Sequence, residues 1–415
     1  MNTPAMLYAD KSGNIYDHSF LKMSVKSGGY EFLPYSGELI DLPENSRLYF
    51  IPDSRPSGYN EAKARFEAAD GYAVSVFLPP GYLRLHTPSY IRTASTFLPL
   101  YAYTPAGWLN GKFMVPALKI DDDSRWNPAL YDYSDNFRPR AEKYLERYPD
   151  NRLYKQLAKC ALVYHCTAAK NVFYPRWECP IPTSPTCNSN CIGCISKQPA
   201  ECCPAPQSRI NFTPTPEEIA EVAINHAEST EHPIISFGQG CEGDPILCAD
   251  VIAKAVKLIR KRFSELTINF NSNCSKPDNL AKLIDAGIDS IRVSLISVNE
   301  SVYNAYYRPQ NYTLSDVVKS IEIAEKSGIY ISLNLLTYPG LTDRKSEAEK
   351  TGDFLGKHRI SLIQMRNLNI DPKLLENRLK LPQDEILGLK NAMKLWKKKR
   401  KGLKFGYFNR LKSEF

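Results

Sequence analysis

Long apolar runs are missing from this 415-residue sequence, where stretches such as Ile331 to Leu336 extend over only a few residues. A membrane-spanning helix needs roughly 20 apolar residues, so an integral helical membrane protein is excluded. Low-complexity tracts are missing as well. With 43% hydrophobic residues, 17 Phe and 25 Tyr, the chain has the apolar mass to fold, which excludes disorder over most of its length. The stretch Met1 to Asp17 lacks the apolar core of a secretory signal and carries Asp10, Lys11 and Asp17, so a cytoplasmic location is expected. Cysteine is absent from the first 150 residues, and all eleven cysteines lie between Cys160 and Cys274. Without an export signal, this argues against a disulfide scaffold and for metal or redox chemistry. Net charge is scarce outside the tail: Lys390 to Phe415 holds ten Lys/Arg against Glu414, and the rest carries 43 basic and 44 acidic residues.

The length exceeds what one hydrophobic core usually holds, and the pattern divides the chain into four parts. Residues 1–150 read as a β-rich accessory domain. Alternating stretches at Arg47 to Ile51, Tyr72 to Leu78 and Lys112 to Leu118 are separated by turn residues, and Asn110-Gly111 is a hairpin signal. Residues 151–178 read as a helical linker, continuing a periodicity that runs from Pro139 to Cys166. Residues 179–375 alternate strands with helices, the α/β pattern of a parallel sheet with crossover helices. The expected strands are Pro180 to Ser184, Ile234 to Gly238, Leu266 to Asn271, Ser290 to Ser297, Tyr330 to Thr337 and Leu362 to Leu368. Thr215-Pro-Glu-Glu218 is a capping box, and Gly287 and Gly328 sit where helices should stop.

Residues 376–415 predict an amphipathic helix over Gln383 to Lys399, with Ile386, Leu389, Met393 and Trp396 on one face and Asp384 and Glu385 in the first turn. Lys397 to Lys401 follows, then Phe405, Tyr407, Phe408 and Arg410. That mixture suits nucleic acid or an anionic surface, and equally a solvated helix end whose charge complements the helix dipole.

Cys187-Asn-Ser-Asn-Cys191-Ile-Gly-Cys194 puts three thiols in one tight loop directly after a predicted strand. Thiolates in a reducing compartment hold iron–sulfur clusters or zinc, and both normally take four ligands. Three ligands leave one position open for chemistry. The other possibility is a zinc knuckle whose fourth ligand comes from Cys179, Cys202 or Cys203.

At these residues the sequence resembles the radical S-adenosylmethionine (radical SAM) enzymes, whose fingerprint is C-x3-C-x2-C. The residue before the last cysteine, commonly aromatic in that family, is Gly193 here. The resemblance extends from about Cys179 to Asp371. It implies a partial (β/α)6 TIM-type barrel and a [4Fe-4S] cluster on Cys187, Cys191 and Cys194, with S-adenosylmethionine bound at the open iron site. It further implies reductive cleavage to a 5′-deoxyadenosyl radical that takes hydrogen from a substrate, and a reductant such as ferredoxin or flavodoxin. The substrate classes considered are a peptide, a cofactor precursor and an RNA base.

Three further segments carry the resemblance. Ser236 to Pro245 looks like the family's glycine-glycine-glutamate element, which makes Gly240, Glu242, Gly243 and Asp244 candidates for holding the amino group of S-adenosylmethionine. Asn269, Asn271 and Asn273 on the third strand and Arg292, Ser294 and Ser297 on the fourth alternate toward one face; Asn271, Asn273 and Ser294 are the cofactor candidates among them. Asn334 on the fifth strand and Gln364, Arg366, Asn367 and Asn369 on or after the sixth are candidates for cofactor or substrate contact, and Tyr306 to Pro309 for covering the mouth. Cys241 and Cys274 are candidate catalytic thiols, as hydrogen-atom or electron donors. Cys179, Cys202, Cys203, Cys241 and Cys274 are candidate ligands of an auxiliary cluster. The reading from another class is a noncatalytic iron–sulfur or zinc protein for binding or electron transfer.

Overall fold

The computed structural model describes residues 3–130, 137–197 and 205–415. The N-terminal region is β-rich, as its alternation predicts. Its antiparallel strands form a twelve-stranded sheet with branches and a separate three-stranded sheet. The expected strands appear as Arg47–Phe50, Tyr72–Phe77 and Lys112–Lys119. Asn110 and Gly111 take φ of 51° and 78° and close a hairpin in which Leu109 faces Lys112, because both residues accept a left-handed backbone. Val74 and Val76 on one strand, and Val115 and Ala117 on another, point inward to one small core.

The helical periodicity after Pro139 forms three helices, Phe137–Arg147, Arg152–Val163 and Thr167–Phe173. The first break falls at Asn151, whose side chain accepts from the Leu153 and Tyr154 amides and starts a new helix.

All six expected βα strands are present: Glu178–Ile181, Ile234–Phe237, Thr267–Ser272, Ser290–Leu295, Tyr330–Thr337 and Leu362–Asn367. They pair in parallel and in sequence order, making the partial barrel. Alternation along the strands explains the arrangement. Phe237, Ile268, Phe270, Ile291, Val293, Leu333 and Met365 are buried in the main apolar core, whereas Ser236, Asn269, Asn271, Arg292, Asn334 and Gln364 occupy the intervening positions and face the lumen.

A seventh strand, Lys404–Gly406, extends the sheet beside Leu362–Asn367. It comes from the tail, so the six-stranded expectation is corrected by one. Tyr407 lies against the Arg366 guanidinium, and Phe408 stacks on Trp126 at 4.8 Å between ring centroids. The aromatic half of the nucleic-acid signature is therefore committed to internal packing. The amphipathic helix begins at Leu389, not Gln383, because Gly388 takes a φ of 80°. Asp384 instead accepts from the Ser346 amide at the start of helix Lys345–Lys357. The apolar face docks as expected: Trp396 is fully buried and its Nε1 donates to the Ala348 carbonyl at 2.9 Å.

The accessory region is fastened at the end of the sixth strand, where the barrel mouth lies. Asn367 Oδ1 accepts from the Arg84 amide at 3.0 Å and its Nδ2 donates to the Tyr82 carbonyl at 3.0 Å. Buried Arg84 donates to the carbonyls of Tyr101, Tyr103 and Leu368, and Arg92 pairs with Asp371 at 2.9 Å.

The Thr215 capping box forms as read, and Glu218 also holds Arg152 through two side-chain contacts of 2.8 and 2.6 Å. Arg152 draws the Glu218 carboxyl from 4.5 down to about 2. A carboxylate held below its unfolded value stabilises the fold above about pH 4.5, and the contribution disappears as pH falls toward 2. Urea unfolding of Glu218→Gln should therefore show a loss of about 1 kcal/mol at pH 7. The gap to wild type should shrink at pH 3; an equal gap at both pH values contradicts the assignment.

Candidate functional site

The segment after the first barrel strand, residues 182–197, has no helix or strand, so its shape depends on anchors from its neighbours. Helix Glu300–Tyr307 supplies the first set. The Asn190 amide donates to the Tyr307 carbonyl at 2.9 Å and the Ile192 amide to the Tyr306 carbonyl at 3.1 Å. The Gln310 amide donates to the Asn188 carbonyl at 2.8 Å, and Arg308 Nε to the Asn190 carbonyl at 2.6 Å. Ser189 Oγ meets the Tyr312 hydroxyl at 2.7 Å. The Tyr306 to Pro309 segment thus clamps the cysteine loop. A Cβ on Gly193 would stand 2.7 Å from the Tyr306 hydroxyl, so a ring from another element fills the space beside the position that is commonly aromatic in the family.

The second set comes from the glycine loop. Glu242 is buried, and its carboxylate accepts from the Thr183 amide at 2.7 Å, the Thr183 hydroxyl at 3.1 Å, the Ser184 amide at 2.9 Å and the Gln239 amide at 2.7 Å. Burial pushes its pKa up to about 7 against the pull of these donors. Three of these donors meet on Oε2 and one on Oε1, which leaves one position on Oε1. Asp244 accepts from the Ser272 hydroxyl at 2.6 Å, the Ile246 amide at 3.1 Å and the Asn273 amide at 2.7 Å, which leaves one position on Oδ2. The Gly243 and Asp244 amides donate to the Ser184 and Thr186 carbonyls at 2.7 and 2.9 Å. The loop glycines let two backbones touch: a Cβ on Gly243 would overlap the Thr186 carbonyl, and one on Gly238, at a φ of 84°, would overlap that of Asn271.

Cys187, Cys191 and Cys194 come together in this frame. Cys191 is driven well above the usual thiol range by burial and then by Cys194 and Cys187. Cys187 is pushed up to about 11 by burial and then by Asp244. Three half-buried thiols sharing one loop fit a cationic multi-iron cluster, which compensates thiolates that otherwise repel one another. Arg209 Nη2 donates to Cys194 Sγ at 3.5 Å; no motif marked it. Among the described residues, no three Cys, His, Asp or Glu side chains close on the geometry of a single metal ion.

The lumen candidates divide into engaged and open groups. Asn271 Nδ2 donates to Ser236 Oγ, the Phe237 carbonyl and the Gly238 carbonyl at 3.0, 2.7 and 3.1 Å. Asn273 Nδ2 reaches Asn188 and Ser189 of the cysteine loop at 2.8 and 3.2 Å. Ser297 binds Glu347, outside the lumen layer. Asn334 Oδ1 is buried without a partner, while Ser294 stands beside Asn334 in register.

Cys274 is fully buried, with a φ of 52°. Cys241 is paired with Cys160, each perturbing the other, and Cys179 is fully buried in the main core. Cys202 and Cys203 lie outside the described residues.

Residues 181–355 match the profile of the Radical SAM superfamily. This stretch of the chain is a radical SAM domain. A "Probable GTP 3',8-cyclase" from Methanosarcina acetivorans is 26% identical over 200 residues, covering 45% of this chain and 54% of that protein. The chain thus matches about half the length of this curated relative. Among solved structures, methylornithine synthase (PylB) is 16% identical with a TM-score of 0.40, over 63% of this chain and 77% of that one. A radical SAM methyltransferase from Sphaerobacter thermophilus is 12% identical with a TM-score of 0.41, over 56% and 66%. Radical SAM family members use a [4Fe-4S] cluster and S-adenosylmethionine. The matched segment begins at the last residue of the first barrel strand and ends before the sixth, so the accessory region and the seventh strand lie outside it.

The contact between the glycine and cysteine loops is testable. Gly243→Ala should cost more than about 3 kcal/mol, whereas Gly240→Ala should cost under about 1 because the atom in its way is the movable end of Ile195. Thermal unfolding measures both; equal losses contradict the close-approach account.

Proposed function

We propose that this chain is a radical SAM enzyme whose [4Fe-4S] cluster is held by Cys187, Cys191 and Cys194, acting on a peptide, a cofactor precursor or an RNA base. When bound, the cluster and S-adenosylmethionine supply one-electron cleavage to a 5′-deoxyadenosyl radical, which takes a hydrogen atom from the substrate. The observation that carries the reading is the cysteine loop itself: three thiols at the C-x3-C-x2-C spacing share one loop, near enough to perturb one another, in a frame built by Glu242, Asp244 and Tyr306.

The two carboxylates have different work in this reading. Glu242 is a positioning residue, because its four donors bind the two loops together. Both carboxylates keep one open acceptor position, but Asp244 borders Cys187, so it is the carboxylate we assign to the ammonium of S-adenosylmethionine. Asn273 joins the end of the third strand to the cysteine loop. Ser294 stands in the lumen as a contact for the cofactor's polar groups, and its neighbour Asn334 leaves an unpartnered Oδ1 ready to accept from cofactor or substrate. Buried Cys274 and the Cys241–Cys160 pair are read as packing, not as hydrogen donors. The accessory region, fastened at the mouth, shields the radical from water.

The test is anaerobic reconstitution with iron and sulfide, then dithionite and S-adenosylmethionine, assayed for 5′-deoxyadenosine. Wild type should produce it, and Cys191→Ala should fall to background. A wild-type protein with a full complement of iron that yields none overturns the proposal.

A further inference from the structure

We propose that Arg292 and Arg366 form an oxyanion-binding site within the barrel lumen that receives a carboxylate or phosphate group of the substrate. Both arginines come from lumen-facing positions, on the fourth and sixth strands. They share one neutral acceptor: Arg292 Nη1 and Arg366 Nη2 donate to Gln364 Oε1 at 3.0 and 3.2 Å. Among the described residues neither pairs with a carboxylate, and the Nε atoms of both are buried without a partner. Glu178, the acidic residue that faces this region, accepts from Asn409 Nδ2 at 2.7 Å. Asn409 Oδ1 in turn holds Gln364 Nε2 at 2.8 Å, which fixes the shared acceptor between the two arginines. The Arg366 guanidinium lies over the Tyr407 ring, 3.9 Å from its centroid.

Two like charges that share one neutral oxygen while half-buried, with their Nε atoms cut off from water, are unfavourable for the fold. Burial, then Arg366, draws Arg292 down to about 9. An oxyanion supplies what is lacking, because guanidinium donors in a fixed plane match two oxygens of a carboxylate or phosphate. Asn334, in register with Gln364, adds an unpartnered acceptor at the same level. A ligand that bears an anionic group beside a hydroxyl or amine therefore complements the site. The assignment of that ligand as substrate rests on the radical SAM reading, whereas the anion site itself does not. S-adenosylmethionine also carries a carboxylate, so the two sources must be separated.

The experiment uses the full chain at constant ionic strength, with inorganic pyrophosphate as the probe and unfolding temperature as the readout. Pyrophosphate should stabilise wild type by a few degrees. In Arg292→Gln and Arg366→Gln the shift should vanish, and the anion-free proteins should unfold a few degrees higher than wild type because a repulsion is gone. Should either glutamine variant fail to fold, Arg366→Lys keeps the charge, loses the planar fork and should weaken the shift. Equilibrium dialysis of S-adenosylmethionine against the reconstituted variants should stay within about twofold of wild type. An unchanged pyrophosphate shift in the variants overturns the anion site. A loss of S-adenosylmethionine affinity of about tenfold or more overturns the substrate assignment, because the arginines then hold the cofactor's carboxylate. A wild type that binds pyrophosphate and fails to cleave S-adenosylmethionine leaves the anion site standing and removes the radical reading.

Discussion

The buried carboxylate of Glu242 holds together two loops that have no secondary structure of their own. One leads from the first barrel strand to Cys187, the other carries the glycines, and four donors from both meet on this side chain. A buried carboxyl is tolerated only when hydrogen bonds compensate its burial, and here the donors are the residues whose positions matter. Asp244 repeats the device one turn along, tying the glycine loop to the end of the third strand through Ser272 and Asn273. Three elements are thereby brought to one point, and the three thiols sit where they meet.

Much of this frame is legible in the sequence because the central strands alternate with period 2. Apolar residues at Ile291, Val293 and Leu295 against Ser290, Arg292 and Ser294 give both the strand and its lumen face, and Ile268 and Phe270 against Asn269 and Asn271 do the same for the third strand. Capping chemistry marks helix ends at Thr215 and Gly287 for equally local reasons. What stays hidden is non-local. Lys404–Gly406 is a three-residue strand inside a basic tail, too short to show a period, and only the exposed edge of the sixth strand gives it a partner. The clamp of Tyr306 and Tyr307 on the cysteine loop uses backbone carbonyls, which no residue pattern reports. Gly193 reads as a departure from the family until the Tyr306 ring is seen in the space it leaves. The glycine loop is legible from its spacing, yet the separate tasks of Glu242 and Asp244 emerge only from where their donors come from and from the place of Asp244 beside Cys187.

The tail and the accessory region act on opposite ends of the same lumen. Asn409 closes the lower end between Glu178 and Gln364, and the accessory region is fastened at the upper end through Arg84, Arg92 and Asn367. The basic charge that dominates the composition therefore lies on elements that complete the barrel, and Lys397 to Lys399 occupy the last turn of a helix, where they complement its dipole. The lumen between these closures is polar, and among the described residues its unpartnered groups include two arginine Nε atoms and one asparagine oxygen.

The most direct measurement of the central claim is electron paramagnetic resonance of the dithionite-reduced, reconstituted protein, recorded with and without S-adenosylmethionine. With three protein thiols and one open iron position, the account predicts a reduced-cluster signal that changes on addition of S-adenosylmethionine. A reduced-cluster signal that is the same in its presence and absence would contradict it, since the cluster would then have no open position for the cofactor to occupy.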